Sequence, residues 1–382
     1  MIIPIICVYL QKISDYSMES AVKKPRLEWL DALRGFTMIM VVANHVLGFG
    51  FGMTGKVSAS MQFLILFRMP LFFFVSGFLA YKAGLLWNGK TLGTLLLKKI
   101  RVQTIPTIVF FFFGAAILGK TFWPTVEDWV SQPLKGGYWF TIVLLYMFII
   151  YYLFCFMENW LRTHFPKMPS WLPIAILFVI SLCCYETCYQ PRYFSWAAGW
   201  RKAPNEFMRY SSICELFRYF IFFLYGNMVR RYWEQAQKVM DSRWFFPIII
   251  IVVIFAALDS LKWHTLRMEW AIIPLTLARF ILLTIVFMYF RNYHQYFTQR
   301  TVVGRSLQYI GRRTLDIYLI HYLFLPNLPT IGTFFSQYRH NFALDTTLSF
   351  ILALIVIGFS IITSNILRVS PFFKKWLFGR TK

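Results

Sequence analysis

Two residues sit where a lipid-soluble stretch should tolerate neither. In "RLEWLDALRGFTMIMVVANHV", residues 26–46, an apolar run carries Asn44 and His45 deep inside it, and Arg34 lies eleven positions before the histidine. At about 100° per residue eleven steps fall some 20° short of whole turns, so Arg34 and His45 share one face, about 16 Å apart along the axis. Asp31 lies one turn before Arg34, in reach to pair with it. An imidazole at neutral pH takes a proton from a hydroxyl and returns it to a leaving group. Ionisable side chains are costly inside a bilayer, which makes His45 a candidate for chemistry and Arg34 a candidate for holding an anion. Asn44 points about 100° away from His45 and is expected to meet another helix.

The same reasoning singles out other groups. "LLLKKIRVQTIP" brings Lys98, Lys99 and Arg101 to the depth of Arg34, either as an ordinary basic anchor or as a phosphate clamp. Asp316 and His321 in "GRRTLDIYLIHYLF" are five residues apart, about 140° around a helix, so they face different neighbours and are not a dyad. Glu215 and Arg218, one turn apart, read as an ion pair or an acceptor-side contact. Trp196 and Trp200 lie in an Arg-rich stretch, residues 189–214, that fits an interfacial anchor or an aromatic platform for a sugar equally well. In "FRMPLFFFVSGFLAYK" a nucleophilic role for Ser76 is weaker than the packing role usual for Ser-Gly in membrane helices.

The elements that position these residues must be transmembrane helices. Of 382 residues 58% are hydrophobic and only 14% charged, too much apolar surface for a soluble domain to bury, and no period-two strands are present. The expected fold is an all-α polytopic bundle of about ten spans: Leu33–Phe51, Phe63–Ala83, Val102–Leu118, Trp139–Met157, Trp171–Cys188, Ile213–Val229, Phe245–Leu261, Trp270–Phe290, Leu315–Leu328 and Leu344–Leu367. Residues 1–25 read as a disordered N-terminal extension with a second possible start at Met18, residues 26–370 as the membrane domain, and residues 371–382 as a basic cytoplasmic tail. The net charge of +23 gathers in alternate connections, as the positive-inside rule requires, which puts both termini in the cytoplasm and leaves no soluble basic module for nucleic acid. Six cysteines without paired spacing give neither a disulfide framework nor a metal site.

In order and spacing, "LDALRGFTMIMVVANH", "MPLFFFVSGFLAYK", "YWFTIVLLYMF" and "GRRTLDIYLIHYLF" resemble the acyltransferase-3 family of integral membrane enzymes, from about residue 26 to near the end of the chain. The resemblance implies a cytoplasmic acyl-CoA donor, usually acetyl-CoA, no tightly bound cofactor, and a carbohydrate or lipid-linked acceptor reached from outside. It makes His45 the catalytic histidine, as base or transient acyl carrier, with Arg34, Lys98, Lys99 and Arg101 toward the donor. Asp31, Asn44, Asp316 and His321 would support them, and Glu215, Arg218, Trp196 and Trp200 would face the acceptor. Where the family often has Arg-x-x-Arg, this chain has Lys98 and Arg101, which keeps the charge and loses one forked donor. The expected place is a bacterial inner membrane. A transporter or flippase of a lipid or glycan intermediate is the alternative.

Overall fold

The structure, a computed structural model, describes residues 27–54, 58–117, 119–132, 134–189, 207, 210–251, 272–337 and 342–378, and every regular element among them is helical. The expected N-terminal extension and the Trp196–Trp200 platform lie outside the described residues. The helices are α1 (Glu28–His45), α2 (Ala59–Ala80), α3 (Gly89–Lys99), α4 (Ile105–Ile117), α5 (Phe122–Ser131), α6 (Trp139–His164), α7 (Leu172–Tyr189) and α8 (Ile213–Arg231). After them come α9 (Trp233–Met240), α10 (Ile272–Asn292), α11 (Val302–Arg312), α12 (Thr314–Ile320), α13 (Pro329–Gln337), α14 (Phe342–Leu367) and α15 (Pro371–Trp376).

Among the described residues five stretches are long and apolar enough to cross a membrane: Glu28–Gly50, Ala59–Ala80, Gly89–Ile117, Trp139–His164 and Phe342–Leu367. The other expected spans are not among these five, and some of them run into residues outside those described. α8 coincides with the sixth but carries Glu215, Arg218, Arg230 and Arg231. The seventh is helical over 245–251 and then leaves the described residues. The ninth, Leu315–Leu328, is not one helix. α12 tightens into a 3₁₀ turn over His321–Phe324 and stops at Leu325, which takes an extended conformation (φ −65°, ψ 123°) as the residue before Pro326. The chain then returns to Gly50, whose carbonyl accepts from Leu328 N–H at 2.8 Å. A broken helix at membrane depth is tolerated where protein surrounds it, and Ile317, Leu319, Ile320 and His321 are all wholly buried. The segment expected as a tail forms α15 and then buries Leu377 and Phe378.

α1 lies at the centre. Glu28 and Asp31 occupy its first turn, where acids oppose the helix dipole, and nearly every residue from Trp29 to Leu47 is buried. Its last residue, His45, leads into a π turn over Val46–Gly50; a second π turn, Ile100–Thr104, follows Lys98 and Lys99 and joins α3 to α4. Such bulges re-aim side chains and gather at functional positions.

Two helix pairs cross backbone to backbone on glycine. Gly35 of α1 and Gly311 of α11 face each other's helices so closely that a Cβ on either would meet the carbonyl of Leu307 or Asp31. Gly77 of α2 and Gly226 of α8 do the same against Phe223 and Phe74, so the small residue beside Ser76 does pack at a helix contact. Because the obstacle is backbone, it cannot rotate aside. Gly311→Leu should destabilise the protein by at least about 1–3 kcal/mol, seen as earlier thermal unfolding in detergent. An unfolding temperature equal to wild type would mean that α11 can slide off α1.

Candidate functional site

His45 meets His321. Its Nδ1 lies 2.8 Å from His321 Nε2, with the rings 9° from parallel. The tautomers follow from the surroundings. His321 Nδ1 sits 3.0 Å from the Ile317 carbonyl and 2.9 Å from that of Tyr318, and both are acceptors, so this nitrogen carries the hydrogen. His321 Nε2 then offers a lone pair and accepts from His45 Nδ1–H. The remaining nitrogen, His45 Nε2, is left as a lone pair without a proton. Such a pair has the parts of a base oriented by a second histidine, in the place where a carboxylate often stands.

Aromatic hydroxyls close the outer side of the pair. Tyr318 and Tyr322 both donate to the Gly137 carbonyl, at 2.5 and 3.1 Å, and Tyr138 donates to the Leu319 carbonyl at 2.8 Å. Tyr322 packs 4.0 Å from the His321 ring centroid. Gly137 holds φ +100°, and a Cβ there would strike the Tyr322 hydroxyl. Lys135 pins this loop by donating to the carbonyls of Trp129 (2.5 Å), Val130 (3.3 Å) and Tyr210 (2.6 Å). Burial pushes its ammonium below the usual lysine range.

Two cavities follow α1. A chamber of about 420 Å³ at the basic end is lined by Arg34 and Thr37 of α1, by Lys82, Lys98, Lys99 and Gln103, and by Arg312 and Thr314. A cavity of about 40 Å³ is lined by Met38, Val41 and His45 of α1, with Arg68, Gly137 and Trp139. Positions 34, 37, 38, 41 and 45 make one continuous helical stripe. Phe72, Phe140 and Tyr318 line both spaces and form the wall between them. Phe72 and Tyr318 each set a ring edge-on to Phe140, at 4.7 and 5.4 Å.

In the chamber Arg34 Nη2 donates to Thr314 Oγ1 at 2.9 Å. Asp31 lies 3.7 Å from Arg34 and 3.4 Å from Arg312, so the pairing expected within α1 is shared with α11. Lys99 Nζ stands 3.4 Å from the centroid of Phe148, and Gln103 is held by the Thr141 carbonyl at 2.7 Å. Lys82 follows α2 in the connecting turn; burial first, and Lys98 second, lower its pKa from the ordinary 10.5. The arrangement suits a polyanion: several cations from four segments share one space, with few acids among them.

The expected residues divide cleanly. Arg34, Lys98 and Lys99 come together in the chamber, whereas Arg101 is exposed on the π turn and lines neither space. Asp316 and His321 face different neighbours as the helical angle demands. Asp316 accepts from Arg368 at 2.5 Å and Ser364 at 2.9 Å, while His321 joins His45. Asn44 is buried, and its Oδ1 finds no hydrogen-bond partner among the described residues. Glu215 and Arg218 lie half-buried in the first turns of α8 and line neither cavity. Sequence reasoning assigned no role to Lys82, Gln103, Arg312, Thr314 or Arg68. All five stood inside quoted motifs, so the signal available was polarity within an apolar run.

No curated protein and no solved structure matches this chain. A family model described as an acyltransferase domain matches residues 27–374, a range that holds both histidines, the basic chamber and all the described helices but the last two residues of the final one. Apolar crossing helices, a histidine pair at their centre and this match agree, and the chain belongs to the acyltransferase-3 family of integral membrane acyltransferases.

Proposed function

We propose that this membrane acyltransferase moves an acyl group, acetyl in the simplest case, from cytoplasmic acyl-CoA to a hydroxyl of an exported or cell-surface glycan. The observation that carries the reading is the stripe of α1, which runs from a basic chamber to a histidine with a free lone pair through a shared aromatic wall. In this reading Arg34, Lys82, Lys98, Lys99 and Arg312 hold the phosphates, and the pantetheine arm follows the stripe for about 16 Å to His45. His45 Nε2 takes the acceptor proton as the hydroxyl oxygen bonds to the thioester carbonyl carbon. The C–S bond then breaks, and the proton passes from His45 to the thiolate. An alternative order, in which His45 carries the acyl group for one step, uses the same nitrogen. In this reading the positive-inside rule turns the chamber toward the cytoplasm, and the membrane is a bacterial inner membrane. Transport of a glycan or lipid fits less well, because the cavity beside His45 has room for only about three waters, each needing roughly 10–15 Å³.

Free-thiol release from acetyl-CoA by the purified protein in nanodiscs tests the reading, and the donor's pH dependence tests the chamber. Bound phosphate raises the pKa of Lys82 above its lowered value, so binding takes up a proton once the free lysine has lost it. Affinity for a non-hydrolysable CoA thioether should therefore be full at low pH and fall as pH rises toward 10.5, and Lys82→Arg should flatten that fall. An unchanged profile in Lys82→Arg would remove Lys82 from the donor site. No thiol release and no CoA binding at any pH would remove the donor itself.

A further inference from the structure

Buried guanidinium groups in this bundle are matched with partners. Arg231 makes two bonds to Glu158, at 2.6 and 2.8 Å, Arg368 binds Asp316, and Arg279 donates to the Tyr185 hydroxyl at 2.8 Å. Arg68 of α2 breaks this pattern. Its Nε is buried without a partner, as those of Arg231 and Arg279 are, but its guanidinium, unlike theirs, makes no other hydrogen bond and meets no carboxylate among the described residues. Arg68 is half-buried, and a guanidinium turned from bulk solvent without a counter-charge leaves a place for a negative partner. The residue nonetheless lines the same small cavity as His45.

The other groups around that cavity narrow what completes it. The Tyr318 hydroxyl is committed to the Gly137 carbonyl. His45 offers a lone pair, which repels an anion's own. Trp139, Phe140, Phe72 and Met69 supply apolar walls, which strengthen any charge interaction within. No acidic side chain lines the space. What remains is a cation facing a small apolar-walled volume next to a base, which suits a negative charge that forms there during a reaction rather than one resident in the protein.

We propose that Arg68 is the oxyanion donor of the acyl transfer, so that its guanidinium receives the charge that forms on the thioester carbonyl oxygen when the acceptor attacks beside His45. The inference rests on the acyl-CoA reading above and adds a catalytic residue to it. As the acceptor oxygen bonds to the carbonyl carbon, the carbonyl electron pair moves onto oxygen under Arg68 N–H groups, and the acceptor proton goes to His45 Nε2. The carbonyl then re-forms, the C–S bond breaks with its electrons leaving on sulfur, and His45 returns the proton to give free CoA. Arg68 makes its strongest contact only while the oxygen is charged, which is the condition for raising turnover rather than merely tightening binding.

Two CoA thioethers separate this role from a structural one. Carboxymethyl-CoA puts a permanent negative charge within one bond of the place where the oxyanion forms, and carbamoylmethyl-CoA is its neutral isostere. Wild type should bind the charged analogue at least about tenfold more tightly. Arg68→Gln should bind both alike, keep the affinity of wild type for the neutral one, and turn over acetyl-CoA about 10²–10³-fold more slowly. Arg68→Lys, which keeps charge without the fork, should retain the preference for the charged analogue. A preference that survives in Arg68→Gln, that is missing from wild type, or that is lost in Arg68→Lys overturns the proposal. If wild type binds neither analogue, the acyl-CoA reading falls, and the oxyanion role with it.

Discussion

Replacing His45 with Gln should leave the protein folded and slow thiol release from acetyl-CoA by about 10³-fold or more, near the upper range for loss of a general base. The amide fits the same space and can still hydrogen-bond to His321, so folding is preserved while the lone pair that takes the proton is gone. The companion His321→Leu should cost less, about 10²-fold, because His45 keeps its nitrogen and loses only the acceptor that fixes its tautomer. The two changes together should be no worse than His45→Gln alone, since both act on one proton transfer. The expectation depends on the 2.8 Å contact and on the two carbonyls that commit His321 Nδ1. Full turnover in a folded His45→Gln would discard the histidine mechanism. Strictly additive losses in the double variant would show that the histidines act separately.

Asp316→Ala should cost about 3–5 kcal/mol of stability, the usual penalty for removing one partner of a buried pair. Asp316 and Arg368 have side chains 6% and 13% exposed, and Ser364 bonds to both. Without the carboxylate, Arg368 is left with the Ser364 hydroxyl and the face of Phe378, 4.2 Å away. The damage reaches the site as well, because this pair anchors the first turn of α12 to α14, and α12 carries Tyr318 and leads into His321. Removing both charges, as Asp316→Leu with Arg368→Met, should recover much of the loss, since the desolvation cost leaves with them. Denaturant or thermal unfolding in nanodiscs reads both variants. A single variant as stable as wild type would show that solvent already reaches the pair.

Class and centre were legible in the sequence for simple reasons. Apolar excess forces helices in a bilayer, and the spacing of Arg34 and His45 depends only on helical rise and twist, so their common stripe could be drawn from one segment. The same geometry separated Asp316 from His321 correctly. What it could not supply was the partner of His45, because His321 lies 276 residues away and their meeting is decided by how α12 packs on α1. Arg68 was hidden for the same reason: a charge near the start of an apolar run reads as an anchor until the fold shows that no carboxylate among the described residues pairs with it. The ninth span failed on a signal that was present, Pro326 within an apolar stretch, where hydropathy outweighed the loss of a backbone donor. Arg101 shows the opposite error. It was grouped with Lys98 and Lys99 by depth, but the intervening π turn alters the face it occupies.

That the histidine pair joins opposite ends of the chain also bears on how the protein is made. At about 5–20 residues per second, a ribosome needs roughly 14–55 s to add the 276 residues between His45 and His321. Throughout that interval α1 holds Asp31 and His45 without Arg312 of α11 and His321, just after α12, to receive them. The nascent helix must be shielded by the insertion machinery, by α2, or by shallow placement until its partners emerge. The histidine pair is therefore completed late in biogenesis, when the broken helix slots in beside the first one.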